Sequence, residues 1–177
     1  MVSPTMEAVA EIPRNDPDLL ADERRSLAAW VGYQRATFLL KCHGLTDEQL
    51  ALRVVPPSSM SLLGLMRHLT EVERNWFARH LMGADVPPLY YSDASPDGDF
   101  DDLASASVSA VRSAYQAAVA RSEEVYDSFA RPDELSRGTT GRPRTVRWVM
   151  MHVVEEYARH NGHADLLREA IDGARGE

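Results

Sequence analysis

The length, composition and charge of the chain limit what it can be. Its 177 residues suit a single domain with a full hydrophobic core. The net charge of −8 argues against a nucleic-acid-binding protein, which needs a basic surface. The single cysteine, Cys42, excludes an intramolecular disulfide and favours a reducing compartment. Because the sequence has neither a membrane-length apolar run nor a signal-peptide pattern, we expect a cytoplasmic protein without a membrane partner.

Apolar residues recur at helical spacing in four long segments that follow an N-terminal tail, residues 1–17. The predicted helices are residues 18–42, 61–82, 102–129 and 145–173, with a short helical turn at 45–50. The predicted N-caps are Asp18, Ser59 or Ser61, and Thr145, and the predicted stops are Gly44, Gly83 and Gly173. With no convincing strand, this pattern predicts an all-α four-helix bundle that occupies residues 18–173.

The connection 84–102 is rich in Asp, Pro, Ser and Gly, and its length is typical of a lid, a binding loop or a disordered segment. Its acidic cluster, residues 93–102, lacks the order of a calcium-binding EF-hand loop, and we interpret it as solvated. The three tryptophans have apolar neighbours at helical spacing and are predicted to be core residues: Trp30, Trp76 and Trp148. Glu73 lies on an apolar helix face, where it is expected to pair with Arg147 or Arg159, or to reach a functional site.

The last predicted helix carries a ladder of polar side chains. His152, Glu156 and His160 follow one another at intervals of four residues, and His163 comes three residues later. Since an α-helix turns about 100° per residue, these four side chains share an arc roughly 80° wide, at or beside the apolar face. Buried carboxylates and imidazoles need partners, and a divalent metal is an efficient one.

A metal site in a bundle needs a third donor from a facing helix. His68 is the best candidate, because it flanks the apolar face of the second long helix. The predicted ligands are therefore His68, Glu156 and His160, with a position left open for water or substrate. His152 and His163 are alternative ligands or groups that orient the ligands. The spacing is equally compatible with a structural interpretation, in which these side chains lie at a solvated margin and pair with carboxylates.

Two segments resemble known family motifs. Residues 59–69, with the sequence SMSLLGLMRHL, followed by VERNWF at 72–77, resemble the second-helix motif of the DinB/YfiT-like superfamily. Residues 155–169, EEYARHNGHADLLRE, resemble the signature of its largely uncharacterised actinobacterial branch. The resemblance covers roughly residues 18–173 and implies a four-helix bundle with a divalent metal held by three side chains.

In the wider superfamily the second-helix histidine, matched here by His68, is one ligand, and a last-helix His-x-x-x-His supplies the other two. His160 matches the second histidine of that pair, and Glu156 stands where the first would be. The resemblance therefore implies the same ligands as the helix geometry. Zinc is the favoured ion, with nickel, iron or manganese as alternatives.

Characterised relatives include transferases and isomerases that use low-molecular-weight thiols such as mycothiol or bacillithiol. The resemblance implies an S-transferase in detoxification or stress response, in which the metal lowers the pKa of the thiol before it meets an electrophilic small molecule. A general base, if one is used, is expected to be His163 or His152. The alternative is a non-enzymatic bundle, a binding or scaffold protein with a structural or vestigial metal site. A homodimer is expected under either interpretation.

Overall fold

The computed structural model describes residues 12–138 and 142–176, so most of the predicted tail, residues 1–11, lies outside the described residues. Within the described ranges the chain forms helices and no strand, apart from two isolated β-bridges, which confirms the all-α class. The helices are α1 (Glu23–Cys42), α2 (Asp47–Ala51), α3 (Leu62–Glu73), the π-helical segment π1 (Arg74–Leu81), α4 (Gly98–Asp101), α5 (Val108–Asp127) and α6 (Val146–Asp172).

The long helices pack side by side around one apolar core. Helix α1 lies against α6, while α3 contacts both α5 and α6, and π1 contacts the same two helices. Large side chains fill the space between them, including Phe38, Leu65, Leu69, Tyr115, Val149 and Tyr157. Because α3 and α6 are neighbours, the helix that carries His68 faces the helix that carries the polar ladder. None of the helices in the two described ranges combines the length and hydropathy needed to cross a bilayer.

Local hydrogen bonds set the helix ends. Ser61 and Thr145 cap α3 and α6 through their hydroxyl groups, as predicted. Gly44, Gly83 and Gly173 follow α1, π1 and α6 with φ of 75°, 71° and 78°, a conformation that glycine adopts without steric cost.

Two predicted helix starts are wrong. Helix α1 begins after Asp22, which accepts a hydrogen bond from the Arg25 N–H, whereas Asp18 accepts one from Leu20 in the preceding turn. Helix α5 begins at Val108 and not near residue 102, because the Ser107 hydroxyl caps it. The residues just before that cap belong to α4 and to turns.

The predicted second helix changes its winding at Arg74. A π-helix closes i→i+5 hydrogen bonds and turns less per residue than an α-helix, so side chains after Glu73 leave the face predicted for them. Trp76 is accordingly only half-buried, and Phe77 takes the core position. The prediction that all tryptophans are core residues is wrong for Trp30 and Trp148, which are both 45% exposed.

Glu73 forms a buried ion pair with Arg35, and the predicted pairing with Arg147 or Arg159 is wrong. Both of its carboxylate oxygens accept hydrogen bonds from the Arg35 guanidinium at 2.8 Å, and the Tyr157 hydroxyl donates a third at 2.8 Å. The expected partners are engaged elsewhere, Arg147 with Glu23 and Arg159 with Glu155. Helical periodicity places Glu73 in the core but does not say which neighbouring helix supplies the cation.

The 84–102 connection is an ordered wall against α3 and π1. The Glu71 carboxylate accepts hydrogen bonds from the backbone N–H groups of Leu89 and Tyr90. The Arg79 guanidinium donates to the Val86 carbonyl and to the Tyr91 hydroxyl. The interpretation of residues 93–102 as a solvated acidic cluster is wrong at its centre, since Asp99 is only 6% exposed.

Candidate metal centre

Side chains from α3 and α6 converge where the two helices face each other. Glu156 Oε2 lies 3.6 Å from His160 Nε2 and 4.0 Å from His68 Nε2. The rings of His68 and His160 are 4.6 Å apart between centroids, and one donor atom from each of the three residues falls within 4.8 Å of the others. The structure therefore brings together the three residues predicted from the sequence.

The donor set fits a divalent ion. At bond lengths of about 2.0–2.2 Å, donor atoms around a tetrahedral zinc ion lie about 3.3–3.6 Å apart. The separation of 3.6 Å between Glu156 and His160 fits that geometry, and the 4.0 Å between Glu156 and His68 requires a small side-chain rotation when the ion binds. His68 Nε2 is buried and has no hydrogen-bond partner among the described residues, and a bound cation would satisfy it.

Asp99 orients His68 from behind. Its Oδ2 atom lies 2.9 Å from His68 Nδ1. Because an ionised carboxylate can only accept a hydrogen bond, Nδ1 carries a proton and Nε2 is directed towards Glu156. Phe100 stacks on the same ring with 5.2 Å between centroids.

The electrostatics of the site follow from these contacts. Burial by itself lowers the pKa of His68, but the hydrogen bond with Asp99 and the nearby carboxylate of Glu156 outweigh burial and raise this pKa to about 9. The neighbouring imidazoles of His160 and His68 hold the pKa of Glu156 well below its ordinary value, against the opposing effect of burial. At neutral pH the metal-free site therefore binds a proton on His68, which a metal must displace.

His152 and His163 each contact one member of the triad formed by His68, Glu156 and His160. His152 Nε2 lies 3.3 Å from Glu156 Oε1, and its ring packs against both Trp76 and Trp148. His163 Nδ1 lies 3.3 Å from His160 Nδ1. Burial, together with the charges of His160 and Arg159, lowers the pKa of His163. Both positions suit groups that orient the triad, and a general-base role for either histidine stays a prediction.

A cleft of about 310 Å³ opens beside the triad. His68 and Glu156 form part of its lining, and the 84–102 wall supplies Tyr91, Asp97 and Phe100. A ligand in this cleft would therefore lie directly against two of the three convergent side chains. Neither His152 nor His163 is among the residues that line it.

Comparison with known protein families adds an independent observation. The profile of the mycothiol-S-transferase family matches residues 26–173, which include every helix from α2 to α6 and most of α1. The chain belongs to this family. The DinB/YfiT-like resemblance is thereby confirmed. No curated protein sequence matches the chain at a significant level.

Membership of the mycothiol-S-transferase family implies a thiol as the small-molecule substrate. The sequence pattern does not indicate a role for Asp99, because the residue lies 31 positions from His68 in a loop that is rich in other acidic residues. One signal was available. Phe100, an aromatic residue next to Asp99 in an otherwise polar stretch, indicates that this part of the loop packs against the bundle.

Proposed function

We propose that the chain is a divalent-metal-dependent mycothiol S-transferase that joins the thiol to electrophilic small molecules in detoxification or stress response. The observation that carries this proposal is the convergence of His68, Glu156 and His160 beside an open cleft, in a chain of the mycothiol-S-transferase family. Zinc is the favoured ion because nitrogen and carboxylate donors at these separations suit it, with nickel, iron or manganese as alternatives.

Different residues would bind the metal and orient its ligands. His68, Glu156 and His160 would hold the ion, and Asp99 fixes the ring of His68. A divalent ion lowers the pKa of a coordinated thiol and so supplies a thiolate at neutral pH. No protein nucleophile is needed.

Cys42 is unsuited to a nucleophilic role. It is fully buried, and burial raises the pKa of its thiol to about 12.

His163 is the better of the two candidate bases. Its lowered pKa leaves the imidazole neutral near pH 7, in the form that accepts a proton. His152 instead faces the carboxylates of Glu156 and Glu155, at 3.3 and 3.6 Å, which favours an orienting role.

The alternative is a bundle with a structural metal. A structural site is closed by four protein ligands, whereas three donors converge in the described residues and the cleft adjoins them. This difference favours catalysis. The homodimer stays a prediction, which sedimentation equilibrium would check.

The test combines metal content and transfer. Protein purified without chelator is analysed for bound metals and assayed for conjugation of mycothiol to monochlorobimane. His160→Ala should abolish both metal uptake and conjugation, while His43→Ala, at the end of α1, should retain both. Full metal occupancy in His160→Ala would refute the ligand assignment. Metal binding without any conjugation by the wild-type protein would favour the structural alternative.

A further inference from the structure

Most polar groups that line the cleft beside the triad are already engaged within the protein. Glu156 faces the histidines, and Asp99 is bonded to His68. Oε1 of Glu71 accepts two backbone N–H groups of the 84–102 wall, and Oε2, which forms no hydrogen bond with any described residue, lies 3.7 Å from the Arg79 guanidinium. Hydrogen bonds and opposite charges within the protein hold these groups in place, and they build the cleft.

Two polar side chains in the lining are different. The side chains of Asn75, on π1, and Asp97, at the start of α4, form no hydrogen bond or ion pair with any other described residue. An aspartate that precedes a helix ordinarily caps it through its carboxylate, but Asp97 makes no such bond. Both residues line the cleft, and their side-chain donors and acceptors are available to a ligand.

Apart from the proposed metal, the described lining of the cleft has no cationic lysine or arginine side chain that would attract a strongly anionic ligand. Tyr91 and Phe100 add aromatic surface. A carboxylate and an amide beside aromatic rings suit a neutral ligand with many hydroxyl groups, because hydroxyls donate to the carboxylate and both accept from and donate to the amide.

We propose that Asn75 and Asp97 form a subsite for the sugar hydroxyls of the thiol cosubstrate. Mycothiol carries its N-acetylated cysteine on a neutral glucosamine–inositol disaccharide, which is a ligand of this class. The subsite rests on the proposed function, since it places the sugar portion beside the ion that binds the sulfur. Asn75 and Asp97 would then set which thiol is accepted, and His68, Glu156 and His160 would activate it.

The wall that carries Asp97 is held in place before any ligand binds. Arg67 donates to the Asp102 carbonyl at 2.6 Å and stacks on Tyr90 at 4.6 Å. Gly98 packs so closely that a Cβ atom there would lie 2.5 Å from the Tyr90 carbonyl oxygen, which fixes the backbone beside Asp97. A pre-formed wall binds a ligand without the entropic cost of ordering a loop.

The experiment compares two thiols by isothermal titration calorimetry with the metal-loaded protein. Mycothiol contains the sugars, and N-acetylcysteine presents the same thiol without them. Asn75→Ala and Asp97→Ala should each weaken mycothiol binding about five- to tenfold, the loss expected for one or two hydrogen bonds. Neither variant should change the affinity for N-acetylcysteine or the metal content. Asp93→Ala is the matched control, because Asp93 is an exposed carboxylate of the same connection outside the cleft.

The outcomes separate the two proposals. Selective loss of mycothiol affinity in both variants supports the subsite. Unchanged mycothiol affinity, or an equal loss for both thiols, overturns the subsite and leaves the proposed transferase function intact. If the metal-loaded wild-type protein binds neither thiol, the proposed function fails, and the subsite fails with it.

Discussion

Replacing Asp99 by asparagine isolates the effect of one buried negative charge on the proposed metal site. The amide side chain of Asp99→Asn would keep an oxygen that accepts the His68 Nδ1 proton, so the orientation of the ring is retained while the charge is lost. In metal-free protein the pKa of His68 should therefore fall from about 9 towards its ordinary value of 6.5, with Glu156 still present to hold it partly raised. The titration is followed by NMR of the imidazole protons.

The same substitution should weaken metal binding. Loss of the partner behind a ligating histidine typically costs about 10- to 100-fold in metal affinity, or about 1.4–2.7 kcal/mol. The loss should be fullest at pH 9, where protons compete little for His68 in either protein. At pH 7 a His68 pKa of about 9 means that proton competition lowers the apparent metal affinity of the wild-type protein roughly 100-fold. Protons compete less in the variant, so the difference in metal affinity between the two proteins is smaller at pH 7 than at pH 9.

Competition with a chromophoric chelator at both pH values measures these dissociation constants. Asp93→Asn, on the same connection but exposed, is the control and should behave as the wild-type protein. An unchanged pKa of His68 together with unchanged metal affinity at pH 9 would refute the role assigned to Asp99.

Three further predictions concern stability and reactivity. The raised pKa of His68 stabilises the metal-free protein below pH 6.5 by at most about 3 kcal/mol, and this contribution is lost as the pH rises through 9. Urea unfolding at several pH values measures this change in the free energy of unfolding. Arg35→Met leaves the Glu73 carboxylate buried without its cation, so it should lower the free energy of unfolding by about 3–5 kcal/mol in thermal or urea unfolding. The control Arg121→Met removes an exposed ion pair and should leave the melting temperature unchanged. Cys42 should resist iodoacetamide in folded protein at pH 8, as read by mass spectrometry, and rapid labelling there would contradict its burial.

The sequence predicted which side chains converge at the candidate site better than it predicted the walls around them. His152, Glu156, His160 and His163 lie on one helix, so their relative directions follow from a fixed rotation per residue. The family motif around His68 identified the facing helix. The polar ladder and His68, which faces it, could therefore be predicted from the sequence alone.

The errors share a cause. The change to π-helical winding at Arg74 turns Trp76 away from the predicted face. The α-helical spacing of apolar residues does not indicate this change of winding. Asp97 and Asp99 stand two positions apart in the same acidic stretch, yet one is exposed and the other buried against His68. Composition describes both residues alike, and only the path of the backbone distinguishes them.

By itself the sequence determined the helical class, several helix ends and the relative directions of the polar side chains along α6, because each depends on hydrogen bonds and periodicity within a few residues. The tertiary structure alone decided that Arg35 neutralises Glu73 across 38 residues, that Asp99 supports His68 across 31, and that Asn75 and Asp97 share a cleft. These contacts depend on how helices and connections pack, and packing is set by the sum of many weak apolar contacts over the whole chain.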